Sequence, residues 1–334
     1  MPVLGAAILL AALCFIKPPG GSPADVPIHR SDFLLNTFVD IAIYDSRDES
    51  ILDGAMALCR EYENRFSRTL SGSEVYRLNH REDATGTYPL SHDMTDLLAT
   101  ALYYCERSGG AFDITTEPLS SLWNFSGTSP SVPPAEAIEE ARKKVDYKKL
   151  RLDGTRSTLT FLDPGTSIDL GAIAKGYIAD QLKAYLLDSG VESAMINLGG
   201  NVLCVGSRPD GTPFTVGLQK PFADRNETFA QVEVSDLSVV ASGVYERHFV
   251  EDGKNYHHIL DPSTGYPYDN GLISVTILSE RSVDGDALST TCFSLGLSRG
   301  MELVESMDGV YACFIDEDYQ IHYSDGMEKF LRKD

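Results

Sequence analysis

The chain has 334 residues, 43% of them hydrophobic, so it is long enough to bury a large core in one domain or in two packed lobes. Its formal net charge of -21 excludes nucleic acid and anionic membrane surfaces as general partners, because both would be repelled. A phosphate-bearing ligand would therefore need a lysine, backbone N–H groups or a bound cation close to it.

The N-terminus has the composition of an export leader. An apolar run over residues 3–16 precedes the segment PPGGSPADVP, and it is too short for a transmembrane helix but matches a secretory h-region, although no basic segment precedes it. We expect residues 1–29 to be a leader and tether that holds an extracytoplasmic protein at the membrane. Cys14 stands where a lipoprotein has its lipidated cysteine, but Leu13 replaces the expected small residue, so lipidation stays open.

The first half of the chain predicts both strands and helices. Partial alternation and β-branched residues predict a strand over residues 33–45, and helical spacing predicts a helix over 49–66. A short helix follows in SEVYRLNH, and residues 94–110 are expected to form a helix that ends at glycine. Two short strands are predicted around KLRLDG and TLTFLD, with a turn at Asp153-Gly154 or near it.

The stretch SIDLGAIAKGYIAD opens a further predicted helix, with Asp169 as its N-cap and Gly190 as its C-terminal stop. It contains Gly171 and Gly176, and each glycine inside a helix costs about 1 kcal/mol relative to alanine. Such glycines allow either a ligand or a second packed element to approach the backbone. The sequence leaves both explanations open.

The second half of the chain is rich in short strands. SAMINLGGNVLCVGS predicts a strand, a glycine turn and a strand, and further strands are predicted in FTVGLQ, SVVASGV, YHHIL and ISVTILS. These strands do not alternate regularly with crossover helices, which argues against a doubly wound parallel sheet. The predicted fold class is α+β, with mixed or antiparallel sheets flanked by helices, and residues 30–334 form one domain or two packed lobes.

Several familiar sites are not predicted. The cysteines beyond the leader are isolated in apolar contexts without a C-x-x-C pair, so we expect buried thiols. The pair His257-His258 lacks cysteine or carboxylate neighbours at the spacing of a structural zinc site. The sequence also lacks the GxxxxGK[ST] and GxGxxG motifs.

The stretch DGDALST brings two oxygen ligands together. Asp286 and Thr290 are four residues apart and therefore share one face of a helix. A carboxylate beside a hydroxyl suits Mg²⁺, which prefers oxygen ligands and often bridges protein and phosphate. The alternative is that Asp284 or Asp286 only caps the helix that begins here.

Three other polar residues also allow two interpretations. In YHHILDPSTGYP, His258 stands at a strand end before a turn, where it could act as a general base or be structural. Asp113 in DITTEP could contact a ligand or form a polar turn. Lys175 could bind a ligand or be solvated.

The ordered set of fragments resembles one known family, the ApbE family of FAD:protein FMN transferases. The fragments are NTFVDI, FSRTLSGSEVYRLN, GGAFDITTEPLSSLWNF, IDLGAIAKGYIAD, INLGGN, HHILDPSTGYP and DALSTTCFSLG. Each is weak alone, but the set is specific and covers the chain from about residue 37 to its end. The resemblance implies an ApbE-like, T-fold-like architecture and a Mg²⁺-assisted cleavage of FAD. It further implies that FMN is transferred to a threonine or serine hydroxyl of an acceptor flavoprotein in an extracytoplasmic electron-transfer system, and that AMP leaves.

The resemblance also assigns residues by position. It implies Mg²⁺ ligation by Asp286, Thr290 and the main-chain carbonyl of Ala172. The FAD contacts that it implies are Ala111, Phe112, Asp113, Asp169, Lys175, His258 and Leu260. His258 and Asp286 are the predicted catalytic residues, and His258 is expected to accept the proton of the acceptor hydroxyl. Asn36 stands where the family often has glycine, so the contact expected there stays open.

Three other functions remain compatible with the sequence. An FAD pyrophosphatase would use the same site with water as nucleophile and release FMN and AMP. A lipoprotein that binds FAD without turnover would retain FAD and release no AMP in Mg²⁺. An extracytoplasmic binding or adhesion module, with turns and caps as its only polar motifs, would not bind flavin.

Overall fold

A computed structural model of the protein describes residues 26–224 and 227–333. Residues 1–25, with most of the predicted leader and Cys14, lie outside the described residues. Among the described residues, no helix has both the length and the apolar character that a membrane crossing requires.

The described chain contains helices and antiparallel strands in mixed order. The strands are β1 Ile28–Leu34, β2 Thr37–Ile43, β3 Thr87–Pro89, β4 Leu150–Asp153, β5 Thr158–Phe161, β6 Ala194–Leu198, β7 Asn201–Val205, β8 Phe214–Gln219, β9 Thr228–Val234, β10 Ser238–Gly243, β11 His248–Glu251, β12 Lys254–His257, β13 Leu272–Ser279, β14 Tyr311–Asp316 and β15 Ile321–Tyr323. The α-helices are α1 Glu49–Phe66, α2 Glu74–Asn79, α3 His92–Arg107, α4 Glu117–Trp123, α5 Ala135–Arg142, α6 Ala174–Asp188, α7 Ser282–Leu295 and α8 Leu297–Glu305.

An eight-stranded sheet in the order β1-β2-β6-β7-β10-β13-β14-β15 forms the centre of the fold. Every neighbouring pair in it is antiparallel. Smaller antiparallel sheets are formed by β3-β5-β4, β8-β9 and β11-β12. The predicted α+β class with antiparallel sheets flanked by helices is therefore confirmed.

The central sheet is covered on both faces, and β13 is buried at every position. On one face, Val275 and Ile277 belong to the main core, and α7 packs against β10 and β13. On the other face, Leu278 packs in a second core with Phe214 and Val216 of β8. Burying each large aliphatic side chain contributes about 1.5–3 kcal/mol to the stability of the fold. Packing on both faces therefore fixes β13, the strand against which α7 packs.

The single strand predicted over residues 33–45 is wrong, because this region folds as the β1–β2 hairpin. Leu35 and Asn36 connect the strands with φ values of 55° and 56°. A two-residue turn with positive φ at both positions matches the twist of the flanking strands. Asparagine tolerates this conformation better than other residues with a side chain, so Asn36 can take the place of a glycine.

The helix predicted over residues 49–66 is confirmed as α1. The helix predicted from Asp169 begins only at Ala174, and the side chain of Asp169 does not cap it. Asp169 Oδ1 instead accepts a 3.0 Å hydrogen bond from Gly171 N in a turn before the helix. Gly190 follows the end of α6 with φ of 80°, as expected of a helix stop.

The isolated cysteines of the described chain are free and buried, as predicted; they are Cys59, Cys105, Cys204, Cys292 and Cys313. Burial raises the pKa of each thiol. They therefore behave as small apolar residues rather than as nucleophiles.

Candidate active site

The N-terminal ends of α6 and α7 touch closely, and a glycine makes this contact possible. A Cβ on Gly176 would lie 2.3 Å from the carbonyl oxygen of Ser282, closer than any side chain can come. Gly176 therefore serves helix packing, one of the two explanations that the sequence left open. A Cβ on Gly171 would approach only Asp169 Oδ1, at 3.1 Å, so packing does not require glycine there to the same degree.

Asp180 on α6 fixes the beginning of α7. Its Oδ1 accepts a hydrogen bond from Ser282 N at 2.7 Å, and its Oδ2 accepts one from Val283 N at 2.9 Å. Two otherwise unpaired N–H groups of α7 are thereby satisfied by a negative charge at the positive end of the helix. Burial raises the pKa of Asp180 to about 6, against the lowering effect of these hydrogen bonds.

Asp286 connects α7 with the beginning of α6. Its Oδ2 accepts a 2.8 Å hydrogen bond from Gly176 N, and its Oδ1 lies 3.4 Å from Lys175 Nζ. Lys175 Nζ also donates to Gly171 O at 3.1 Å. Because α7 begins at Ser282, Asp286 lies beyond its first turn and does not cap it, so the capping alternative is wrong for Asp286.

Asp284 is directed elsewhere. It lies in the first turn of α7, where a negative charge is favourable, and accepts a 2.9 Å hydrogen bond from the Tyr104 hydroxyl of α3. Arg281 lies 3.5 Å from its second oxygen. Asp284 therefore stabilises the packing of α3 on α7.

Thr290 lies one helical turn after Asp286 on α7 and is half-buried. Its Oγ1 is 3.1 Å from Ser242 Oγ, near the end of β10. Ser242 Oγ also lies 2.8 Å from Ser289 Oγ. A chain of hydroxyl groups thus joins the central sheet to the helix face that carries Thr290.

The segment after α3 is held by its own hydrogen bonds. Asp113 Oδ1 accepts from Thr115 N at 2.7 Å and from Thr115 Oγ1 at 2.6 Å, and its Oδ2 accepts from Tyr147 N at 2.8 Å. Burial raises the pKa of Asp113 against the effect of these bonds. The polar-turn interpretation of Asp113 thus has direct structural support, and Asp113 shapes this segment from within.

Ala111 and Phe112 have different environments in the same segment. Phe112 is buried in the main core, and its N–H donates to Ser108 Oγ at 3.0 Å. Ala111 is half-buried, and its carbonyl accepts a 2.9 Å hydrogen bond from the Tyr268 hydroxyl. Tyr268 follows the HHILDPSTGYP loop, so this bond connects two of the segments on which the family resemblance rests.

Asp169 connects this segment to the turn before α6. Its N–H donates to Ile114 O at 2.8 Å, and its Oδ2 lies 3.4 Å from Arg68 Nε. Arg68 also donates to Ser121 Oγ at 2.9 Å. Arg68 is not predicted as a site residue from the sequence, because an arginine in a loop gives no local sign of the carboxylate that it meets about 100 residues later.

His258 directly follows β12, and its N–H donates to Arg247 O at 3.1 Å. Its Nδ1 is buried and has no hydrogen-bond partner in the described structure. Burial, followed by the positive charge of Arg247, lowers the pKa of His258 to about 3, and the charge of Lys175 adds to this effect. The imidazole is therefore neutral at pH 7, and it is close enough to the Lys175 ammonium to sense its charge. The same ammonium faces Asp286.

The neighbouring His257 has a structural environment. Its Nε2 donates to Tyr268 O at 2.9 Å, and its Nδ1 accepts from Ile259 N at 3.3 Å. Burial is the main cause that lowers its pKa to about 4. Leu260, two residues after His258, is buried in a small cluster with Leu119 and Trp123.

Comparison with known proteins gives the family. The model of the ApbE family matches residues 35–315. The chain belongs to the ApbE family. An FAD:protein FMN transferase of Klebsiella pneumoniae is 37% identical over 293 residues, which cover 87% of this chain and 90% of that protein. An FAD:protein FMN transferase of Treponema pallidum is 32% identical in an alignment that covers 97% of this chain and 94% of that protein.

Solved structures of the ApbE family have the same fold. An ApbE protein of Thermotoga maritima is similar with a TM-score of 0.83 and 32% identity, covering 92% of this chain and all of that one. The flavin transferase ApbE of Vibrio cholerae is similar with a TM-score of 0.82 and 27% identity, covering 91% of this chain and 99% of that one. The ApbE-like architecture is thus established for this chain.

In this ApbE chain, the oxygen atoms near the beginning of α6 suit a hard divalent cation. The Lys175 ammonium lies against a carboxylate and a main-chain carbonyl, which are the donor types that Mg²⁺ takes. Ala172 is half-buried in the adjoining turn. The described residues contain no group of three or more His, Cys, Asp or Glu side chains able to hold a metal. A cation here would therefore need hydroxyl, carbonyl and ligand oxygens beside Asp286.

Proposed function

We propose that this protein transfers FMN from FAD to a threonine or serine hydroxyl of an acceptor flavoprotein and releases AMP. The observation that carries the proposal is the position of Asp286 at the α6–α7 contact, with one oxygen fixed by Gly176 N and the other facing the cation of Lys175. The relatives named FAD:protein FMN transferase support the reaction, since they match most of this chain.

The transfer exchanges one phosphoester bond for another. The acceptor oxygen bonds to the phosphorus on the riboflavin side of the pyrophosphate, and the bond from that phosphorus to the bridging oxygen breaks. The electron pair of this bond leaves with AMP, and the proton of the hydroxyl passes to a base. FMN is then held to the acceptor by a phosphoester.

The proposed Mg²⁺ would be held by Asp286, Thr290 and the carbonyl of Ala172. When bound, it neutralises charge on the pyrophosphate and stabilises the negative charge that develops on the leaving group. The hydrogen bond from Gly176 N already holds the Asp286 side chain in place. Binding a metal ion there would therefore cost less side-chain conformational entropy. Lys175 adds a positive charge beside the same carboxylate, which matters in a chain of net charge -21.

His258 is proposed to accept the proton of the acceptor hydroxyl. Its neutral state in the free protein leaves a ring nitrogen available as a base near pH 7. A pKa of about 3 is low for this task, but it belongs to the protein without substrate. The negative pyrophosphate of FAD would raise the pKa of a nearby imidazole.

The proposed FAD-binding residues remain Ala111, Phe112, Asp113, Asp169, Lys175, His258 and Leu260. Their contacts divide them into two groups. Ala111, Asp169, Lys175 and His258 are half-buried, although the Nδ1 atom of His258 is itself buried, whereas Phe112, Asp113 and Leu260 are buried as whole residues. We therefore assign direct side-chain contacts with FAD to Asp169, Lys175 and His258, and a shaping role to the buried residues.

We also propose an extracytoplasmic location for the reaction, with the protein tethered through residues 1–29. The apolar run and the Pro- and Gly-rich segment support this location, and Cys14 is the candidate for lipidation. The acceptor would then be an extracytoplasmic flavoprotein, such as a subunit of an electron-transfer system.

Mass spectrometry of an acceptor domain tests the proposal. The domain is incubated with the protein, FAD and Mg²⁺, beside an Asp286→Ala control, and AMP is measured in the same samples. A mass gain equal to FMN that disappears in the control is the expected result. AMP release with no mass gain on any flavoprotein tested would favour FAD hydrolysis instead. FAD retention with no AMP release would indicate a carrier.

A further inference from the structure

A row of hydroxyl groups connects β10 with the middle of α7. Ser289 Oγ donates a 2.9 Å hydrogen bond to the carbonyl oxygen of Asp286. Ser242 Oγ lies 2.8 Å from Ser289 Oγ and 3.1 Å from Thr290 Oγ1. Either partner could donate in each of the two hydroxyl–hydroxyl contacts when that contact is considered alone.

The number of protons decides the direction of both contacts. A serine or threonine hydroxyl has one proton to donate and two lone pairs. The proton of Ser289 goes to the Asp286 carbonyl, so Ser242 must donate to Ser289. Ser242 has then no proton left, and Thr290 must donate to Ser242.

This direction leaves Thr290 as an acceptor toward every other group. Its proton points at Ser242, so its lone pairs are available on the side away from β10. A hydroxyl ligand of a hard cation must present a lone pair and not its proton. A threonine inside a helix otherwise tends to donate to the carbonyl of the preceding turn, which would rotate its oxygen.

We infer that Ser242 is a positioning residue of the cation site, which fixes the Thr290 hydroxyl with its lone pairs toward the ion. The inference rests on the proposed function, because it takes Thr290 as a ligand. Ser242 is suited to this task since β10 pairs with β13 through all its residues, so that the central sheet holds the serine independently of α7. The two proposed side-chain ligands on α7 are thus oriented from two sides, Asp286 by α6 and Thr290 by β10.

Titration of the intact protein with Mn²⁺, followed by the electron paramagnetic resonance signal of the free ion, tests this inference without turnover. Ser242→Ala should raise the Kd for Mn²⁺ about 10-fold, since loss of a residue that orients a ligand typically costs 10–100-fold in metal affinity. Ser242→Thr keeps a hydroxyl and should restore most of the affinity. Ser289→Ala frees the Ser242 proton for donation to Thr290, so it should raise the Kd as well, by a smaller factor.

Ser238→Ala is the matched control. Ser238 lies on the same strand and donates to Ser282 Oγ at 3.0 Å, in a hydroxyl pair that leads to Asn201 and not to Thr290. The Kd of the Ser238→Ala protein for Mn²⁺ should stay within about 2-fold of that of the unchanged protein, because this hydrogen bond involves neither proposed ligand. Thermal unfolding of each variant shows whether it is folded.

The benchmark variants Thr290→Ala and Asp286→Asn separate the two possible failures. If both weaken Mn²⁺ binding while Ser242→Ala and Ser289→Ala leave it unchanged, the role of Ser242 is refuted and the proposed metal site stands. If neither benchmark changes the Kd, or the unchanged protein binds no Mn²⁺, the proposed metal site fails and the inference fails with it.

Discussion

The carboxylate of Asp286 accepts a 2.8 Å hydrogen bond from the backbone N–H of Gly176, across the contact between α7 and α6. Asp286 is buried, with 4% of its surface exposed, and Gly176 has the Ser282 carbonyl where a side chain would be. One oxygen of the carboxylate is thus fixed by helix packing, and the other faces Lys175. The geometry of the proposed cation site therefore depends on how closely the two helices approach.

Removing the charge of Asp286 should abolish both transfer and hydrolysis. Asp286→Asn keeps the size of the side chain and a carbonyl that can accept from Gly176 N, but it loses the anionic ligand. Because metal ligation is worth several kcal/mol in the transition state, we expect AMP release and acceptor labelling to fall about 100-fold or more. Chelation of the metal should have the same effect on the unchanged protein.

Asp284→Asn is the matched control for this prediction, since Asp284 lies on the same helix but contacts Tyr104 of α3. Its activity should stay within about 10-fold of the unchanged protein, because an effect of packing alone is smaller than loss of a ligand. Equal losses in both variants would assign the effect of Asp286→Asn to helix packing.

The two glycines near α6 should respond differently to alanine. In Gly176→Ala the new methyl group meets the backbone of α7 at 2.3 Å, which cannot move as a side chain can. We expect a loss of about 1–3 kcal/mol or more in the free energy of unfolding, as for other overpacked sites. In Gly171→Ala the change should stay within about 0.5 kcal/mol. Urea unfolding of both variants measures the difference, and equal values would contradict the packing role of Gly176.

Replacing His258 should impair transfer more than hydrolysis. In His258→Gln the side chain stays polar but cannot take a proton, so the step that activates the acceptor hydroxyl should slow by about 100-fold, the low end of the usual range for general-base catalysis. Hydrolysis of FAD, measured as AMP release without an acceptor, should fall less, because its nucleophile is water and not a positioned acceptor hydroxyl. Parallel assays of AMP and of FMN-labelled acceptor give the ratio, and an unchanged ratio would indicate that His258 only binds FAD.

Acid should destabilise the fold through His257. Burial lowers its pKa to about 4 from an ordinary value of 6.5, so below pH 6.5 the unfolded chain binds more protons than the folded protein. Stability from this residue is therefore complete above pH 6.5 and is lost as the pH falls toward 4. Between pH 7 and pH 5, protonation of His257 alone should lower the free energy of unfolding by about 2 kcal/mol.

The contribution of His257 can be isolated by comparison with His257→Gln. The difference between the two unfolding free energies at pH 7 should shrink at pH 5, because the variant has no proton to gain there. Asp180 acts in the opposite direction, since its raised pKa makes the folded protein bind the extra proton as the pH falls through about 6. A difference that does not change with pH would show that His257 is not held neutral.

The sequence by itself determined the elements whose information is local. Helical spacing gave α1 at its observed bounds, and glycine turns placed β6, β7 and the end of α6. A four-residue spacing placed Asp286 and Thr290 one turn apart. These results follow from periodicity and backbone preference, which act between residues close in the chain. Local alternation did not distinguish one strand from the β1–β2 hairpin, because a two-residue turn at Leu35 and Asn36 interrupts it only briefly.

Only the tertiary structure decided which groups meet at the site. Asp180 caps a helix 102 residues later, Arg68 meets Asp169, and Ser242 meets Thr290, which lies 48 residues further along the chain. No local spacing encodes such pairs, since they exist only when the central sheet and the α6–α7 contact are formed. The same packing brings Gly176 of α6 against the backbone of α7 and makes His258 neutral by burial. It also places one oxygen of Asp286 opposite the Lys175 ammonium.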